Sequence, residues 1–268
     1  MSSGKENMER PILETKNLEV SYDHVKILQD ISLGVNEGEI LGIVGESGSG
    51  KSTFLRAVMG LLGNGGQITG GSIRYKDQEL HTLGGEALRR LRGPQIGMVF
   101  QNTQAALCPV RTIESQLCET VLQHEQASRG EIRDRALELF EKIGLSDGDR
   151  ILKSYPFELS GGMNQRVGIM MAMILKPTIL LADEPTSALD VRVQAQVVKE
   201  MMEMRKIYGT TIILVTHHIG VVEKMADKVA VMYQGRLVEY GSTKDVIYNP
   251  AQEYTKKLTG AVLRIHRG

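Results

Sequence analysis

Gly45-Glu46-Ser47-Gly48-Ser49-Gly50-Lys51-Ser52, preceded by Ile40-Leu41-Gly42-Ile43-Val44, is the stretch on which the fold turns. A short apolar run enters a glycine-rich turn, and Phe54, Leu55, Val58 and Met59 then share one face of a helix. The octapeptide satisfies G-x-x-x-x-G-K-[ST] in full, in the strand–loop–helix context the pattern requires. Glycines let the backbone curl so that successive N–H groups point inward at phosphate oxygens. The following helix aims its positive end at the same place. Lys51 adds a charge for the outer phosphates, and the Ser52 hydroxyl suits Mg²⁺. The ligand class is a nucleoside triphosphate.

A second stretch, Ile179-Leu180-Leu181-Ala182-Asp183-Glu184, carries two carboxylates at the end of a buried strand, where open α/β sheets bind ligands. Asp183 is placed to hold the Mg²⁺ shell and Glu184 to polarise an attacking water. Upstream, ILETKNLEV and ILQDISLGV, from Ile12 onward, alternate like half-buried antiparallel strands. Downstream, Thr211-Ile212-Ile213-Leu214-Val215 and the 178–182 run read as parallel strands covered on both faces. Asp190 caps a helix with Val197, Val198, Met201 and Met202 inward and Gly209 as its stop, and Lys228 to Glu239 reads as a hairpin turning at Gln234-Gly235. Between these regions the pattern is helical: Ser128 and Glu131 form a capping box ahead of Ile132, Ala136, Leu139, Phe140 and Ile143, with Gly144 at the helix end, and a second helix runs from about Gly162 to Leu175. The expected organisation is a flexible tail over 1–11, a core over 12–103 and 176–245, a helical subdomain over 104–175 and a helical C-terminal tail over 246–268.

Composition bounds the rest. The 268 residues are 41% hydrophobic and 24% charged, with 32 basic residues balanced by 32 acidic ones. A net charge of zero argues against sequence-independent nucleic-acid binding. Cys108 and Cys118 form no CxxC pair and read as reduced thiols. No run approaches the ~20 apolar residues of a membrane span, and the first residues lack a signal peptide's apolar segment. A cytoplasmic chain is expected, reaching any membrane process by docking on another chain.

Leu159-Ser160-Gly161-Gly162-Met163-Asn164-Gln165-Arg166 resembles the LSGGQ-like signature of ABC-transporter ATPases. Further motifs of that family follow in order. Tyr22 matches the aromatic that stacks on adenine, Gln101 the Q-loop glutamine, Ser187-Ala188-Leu189-Asp190 the D-loop, and His217 the switch histidine. The resemblance runs from about Ile12 to Thr259. It implies an α/β fold: a P-loop NTPase (RecA-like) core with an antiparallel β subdomain and a helical insert. It also implies Mg²⁺-dependent ATP hydrolysis between two subunits arranged head to tail. Contacts to ATP are implied at Tyr22, along Gly45, Glu46, Ser47, Gly48, Ser49, Gly50, Lys51, Ser52 and Thr53, and at Gln101 and Asp190. Ser160, Gly161 and Gly162 of the opposite subunit would cap the γ-phosphate. Lys51, Glu184 and His217 are the expected catalytic groups, and Ser52, Gln101 and Asp183 the expected metal contacts.

The stretches Ser154-Tyr155-Pro156-Phe157-Glu158, Ala188 to Val191 with Gln194-Ala195-Gln196, and Tyr248-Asn249-Pro250 with Tyr254-Thr255 are similar to the peptide and nickel importer branch. That branch implies two permeases, a paralogous second ATPase or a second copy of this chain, an extracytoplasmic binding protein, and a place at the cytoplasmic face of the membrane. The chain lacks the branch's C-terminal cysteines, so no iron–sulfur cluster is expected, and its short ending leans toward nickel or metallophore cargo. A soluble, non-transport ABC ATPase and an exporter ATPase are the alternatives. Met163 replaces the usual glutamine, and His218 stands where aspartate is common; His218 reads as structural or surface. Asn102 to Pro109 departs from DPxxSLNP. The methionines at 170, 171, 173, 201, 202 and 204 read as helix packing. His24, His81, His124 and His266 read as solvated, and Gly85 to Gly93 as an exposed helix face whose arginines could reach a partner.

Overall fold

In the computed structural model, which describes residues 10–187 and 189–263 with side chains through 260, the chain opens with a hairpin. Leu13–Tyr22 (β1) and Val25–Val35 (β2) pair antiparallel. Asp23 and His24 both sit at positive φ, 45° and 69°, which is the backbone twist a two-residue hairpin turn needs. The chain then crosses to a second sheet through β3 (Ile40–Val44) and α1 (Lys51–Met59). It returns to the first sheet as β4 (Gly66–Tyr75) and β5 (Gln78–Glu79), giving the antiparallel order β2-β1-β4-β5. After α2 (Gly85–Leu91) it re-enters the second sheet with β6 (Ile96–Val99). Five helices follow: α3 (Thr103–Ala106), α4 (Ile113–Leu122), α5 (Arg129–Lys142), α6 (Gly148–Lys153) and α7 (Gly161–Met173). The remaining elements are β7 (Ile179–Asp183), α8 (Val191–Tyr208), β8 (Thr211–Val215), α9 (Ile219–Met225), β9 (Lys228–Tyr233), β10 (Arg236–Ser242), α10 (Thr243–Tyr248) and α11 (Glu253–Leu263). The second sheet runs β10-β9-β3-β8-β7-β6, parallel except for β10.

The central strands show why their sequences are apolar without interruption. Leu41, Ile43, Leu181, Ile213 and Val215 face the antiparallel sheet and α1. Ile40, Val44, Leu180, Ala182, Ile212 and Leu214 face the helical side. Successive side chains point to opposite faces, and both faces are covered. Each such side chain contributes about 1.5–3 kcal/mol on burial. The second face is covered in part by the helical segment itself: Ile132, Ala136, Phe140, Val167 and Met170 are buried in the same cluster as the strand residues.

Local caps are as read. Ser128 accepts from the Glu131 amide at 3.2 Å while the Glu131 carboxylate accepts from the Ser128 amide at 2.7 Å. Asp190 caps α8, Gly209 ends it in the left-handed region, and Gln234-Gly235 turns the β9–β10 hairpin. Met170, Met173, Met201 and Met204 are buried and Met171 and Met202 partly so, as packing residues.

Two readings need correction. His124 is half-buried, with its ring against Gly93, and burial pushes its pKa down. Arg92 is not a free face arginine: its guanidinium donates to the carbonyls of Met59 and Gly60, each at 2.9 Å, satisfying the end of α1. Arg89 and Arg90 do lie on an exposed face, paired with Glu86. His24 is exposed, whereas His266 and the expected tail up to residue 9 lie outside the described residues.

Candidate functional site

The turn from β3 into α1 is shaped by two glycines. A Cβ on Gly45 would lie 2.1 Å from the Met232 carbonyl oxygen, so the loop rests on the end of β9 with no room for a side chain. Gly50, at φ 99°, takes the left-handed position that starts α1. Inside this curl sits Lys51, only 6% exposed. Its ammonium donates to the Gly45 carbonyl at 2.8 Å, the Glu46 carbonyl at 2.7 Å and Ser49 Oγ at 3.3 Å. Burial pushes its pKa down, and the nearby Glu184 and Asp183 carboxylates pull it back up.

Next along α1, Ser52 Oγ donates to Asp183 Oδ1 at 2.8 Å. The hydroxyl proton is thereby committed to the carboxylate, which leaves the oxygen's lone pairs available to a cation. Asp183 is 3% exposed at the end of β7, and burial pushes its pKa up while the Ser52 bond pulls it down. A buried carboxylate with no ion pair of its own among the described residues, beside a hydroxyl with free lone pairs, is a fit for a divalent ion. The Lys51 ammonium in a curl of amides is likewise a fit for a polyphosphate.

Glu184 follows in the left-handed region, φ 48°, a costly conformation for a non-glycine residue. Its amide donates to the Val215 carbonyl at 2.8 Å, and its own carbonyl accepts from Ser187 N and Oγ. The strand end is thus forced to turn sharply. The Glu184 carboxylate meets His217, whose Nδ1 lies 2.7 Å from Oε2. The His218 ring packs against His217, centroids 4.1 Å apart and tilted by 38°. Burial first, and then His217, hold its pKa down.

Ser47, Gly48, Gly50, Lys51, Ser52, Thr53, Gln101 and Glu184 line one cleft of about 330 Å³. Ile27, on β2, completes the wall; it lies five residues beyond Tyr22 and reads in sequence as an ordinary strand position. Other expected contacts do not line this cleft, among them Tyr22, Asp190 and Ser160 to Gly162. The Tyr22 phenol donates to the Leu62 carbonyl at 2.7 Å, which ties the ring to the start of β4. Asp190 spends its carboxylate on the Arg192 and Val193 amides, both at 3.0 Å. Ser160 and Gly161 are exposed at the start of α7, with Gly162 half-buried beside them; the Ser160 hydroxyl accepts from the Met163 amide at 3.3 Å.

The segment after Gln101 is bound to the signature helix. Thr103 Oγ1 donates to Gln165 Oε1 at 2.8 Å, and a Cβ on Gly168 would lie 2.1 Å from Thr103 Cγ2. Sequence reading also missed Tyr254, on α11. Its phenol oxygen accepts from the Glu46 amide at 3.1 Å, across 208 residues of chain.

A family model described as "ABC transporter" matches residues 28–187. The dipeptide transport ATP-binding protein DppD of Bacillus subtilis (strain 168) is 41% identical over 259 residues, spanning 95% of this chain and 77% of that protein. The oligopeptide transport ATP-binding protein OppD of Escherichia coli (strain K12) is 41% identical over 258 residues, 95% of this chain and 76% of that protein. Among solved structures, the dimeric post-hydrolysis state of the ATP-binding cassette MJ0796 bound to ADP and Pi superposes with a TM-score of 0.77. It is 30% identical and covers 86% of this chain and 98% of that one.

Proposed function

This chain belongs to the ABC transporter family, and from that premise we propose that it is the ATP-hydrolysing subunit of a peptide importer, supplying half of each of two ATP sites. The observation that carries this reading is the convergence of Lys51, Ser52, Gln101 and Glu184 on one cleft, with Asp183 bonded to Ser52 and His217 to Glu184.

Each group has a distinct task. The amides of residues 45–52 and the Lys51 ammonium take the phosphates. Ser52, Asp183 and Gln101 hold Mg²⁺, which when bound neutralises charge on the phosphate oxygens. Glu184 orients the attacking water and accepts its proton as the bond to ADP breaks. His217, whose Nδ1 lies 2.7 Å from that carboxylate, keeps it aimed and faces the γ-phosphate.

Ser160 and Gly161, exposed and absent from this chain's own cleft, would close the cleft of an opposed cassette with a hydroxyl and helix N-terminal amides. The dimeric relative bound to ADP and Pi supports that arrangement. The opposed cassette is a paralogue or a second copy of this chain. An apolar cleft of about 270 Å³ beside Phe100, Leu107, Met171 and Leu175 suits an apolar segment of a permease. The Thr103–Gln165 bond would carry its movements to the signature helix. No helix among the described residues is long and apolar enough to cross a membrane, so the proposed place at the cytoplasmic face comes through two permeases, served outside by a substrate-binding protein. The transport names of the two sequence relatives support peptides as cargo.

The test is Glu184→Gln in the assembled transporter. ATP turnover should fall at least about 100-fold while ATP is still bound. Unchanged turnover would remove Glu184 from the reaction.

A further inference from the structure

We propose that Tyr254 is a positioning residue for the phosphate loop, because its phenol oxygen fixes the peptide plane whose opposite edge holds the Lys51 ammonium. The inference rests on the reading of that loop as the ATP site.

The geometry involves one peptide unit. The Gly45 carbonyl and the Glu46 amide belong to the same planar group, and in a trans peptide they point in opposite directions. The carbonyl faces inward and accepts from Lys51 Nζ at 2.8 Å. The amide faces outward and donates to Tyr254 Oη at 3.1 Å. Rotating this plane to free one bond necessarily disturbs the other. Tyr254 therefore acts on the ammonium through a rigid lever, without touching it.

The lever has a firm seat. The Tyr254 ring packs on Tyr233, centroids 4.3 Å apart and tilted by 36°. Tyr233 ends β9 and follows Met232, the residue whose carbonyl abuts Gly45. The start of α11 is fastened to β10: the Ala251 and Gln252 amides donate to the Glu239 carboxylate at 2.8 and 3.1 Å. Thr255 and Thr259, on the same helix, are 0% and 3% exposed. On its other flank the Gly235 amide donates to the Ser49 carbonyl at 3.1 Å. The loop is held at both ends from outside the cleft, once by the hairpin and once by Tyr254.

A loop already held in its binding conformation forfeits less entropy when phosphate arrives. Loss of the phenol should weaken nucleotide binding and spare the chemical step, since Glu184 and His217 follow other strands and Lys51 keeps its bonds to the Glu46 carbonyl and Ser49 Oγ.

The experiment compares the full chain with Tyr254→Phe, which keeps the ring and its stack. Kd for ATP and for ADP should rise about three- to tenfold, the effect of one neutral hydrogen bond. The turnover at saturating ATP in the assembled transporter should stay within about twofold. Exchange of the Glu46 amide proton should quicken in the nucleotide-free chain. Tyr233→Phe also keeps the stack and leaves the Tyr254 phenol in place, so it should bind ATP as the unsubstituted chain does. Equal Kd and equal Glu46 exchange in Tyr254→Phe would overturn the proposal. So would an equal weakening in Tyr233→Phe, because the effect would then belong to general packing. A full chain that binds no ATP would instead overturn the reading of the loop itself.

Discussion

Glu200 is 1% exposed, and its Oε2 has no hydrogen-bond partner. Its other oxygen accepts from Arg166 Nε at 2.6 Å and from Gln196 Nε2 at 3.0 Å. Arg166 is the last residue of the signature stretch, so this ion pair fastens α7 to α8, the helix that begins just after the D-loop. Breaking a buried pair from one side leaves an uncompensated charge. Arg166→Ala should therefore lower unfolding stability by about 3–5 kcal/mol, read from denaturant midpoints. Arg166→Ala paired with Glu200→Leu should recover most of that loss, since no buried charge then remains. Of the proposed site residues, Lys51, Ser52, Asp183 and Glu184 were legible from type and spacing and Gln101 from resemblance; the structure brings Lys51, Ser52, Gln101 and Glu184 to one cleft and bonds Asp183 to Ser52. Ile27 and Tyr254 were not legible. Their contacts join distant parts of the chain: Ile27 reads as an ordinary strand position, and Tyr254 was read only as part of a branch-like ending, with nothing to mark its bond to the phosphate loop.

At the scale of elements, legibility followed from how far each segment's stability is local. α5 announces itself through Ser128 and Glu131, whose reciprocal bonds satisfy two amides that the helix leaves open. Ser128→Ala should cost about 1 kcal/mol, seen as a lowered denaturant midpoint with an unchanged slope. β7 and β8 read as parallel strands because both of their faces are covered. By contrast, β4 is hidden behind glycines. Gly70 and Gly71 interrupt its apolar alternation, and the register against β1 shifts between Lys16 and Glu19. Gly71 sits at φ 72°, with a Cβ position only 2.2 Å from the Asn17 carbonyl oxygen. That irregularity is a tertiary fit between two strands, and no periodicity in residues 66–75 reveals it. β6 is only four residues long and takes its identity from pairing with β7.

For the molecule as a whole, the open question is where the second half of the catalytic site comes from. The phosphate loop, Asp183, Glu184 and His217 lie at the C-terminal ends of three adjacent interior strands, β3, β8 and β7, of the six-stranded sheet. Ser160 and Gly161 stand exposed at the head of α7 and do not line the cleft of Lys51, Ser52, Gln101 and Glu184. On the proposed reading a single chain holds both halves of a site that it does not assemble alone, and ATP should act as the adhesive between two cassettes. The direct measurement is the mass in solution of the Glu184→Gln chain, alone and mixed with any second cassette of its transporter, with and without saturating Mg²⁺-ATP. A particle containing two cassettes should form only with ATP and fall apart when ATP is removed. Single cassettes under every condition, with ATP demonstrably bound, would contradict the composite site.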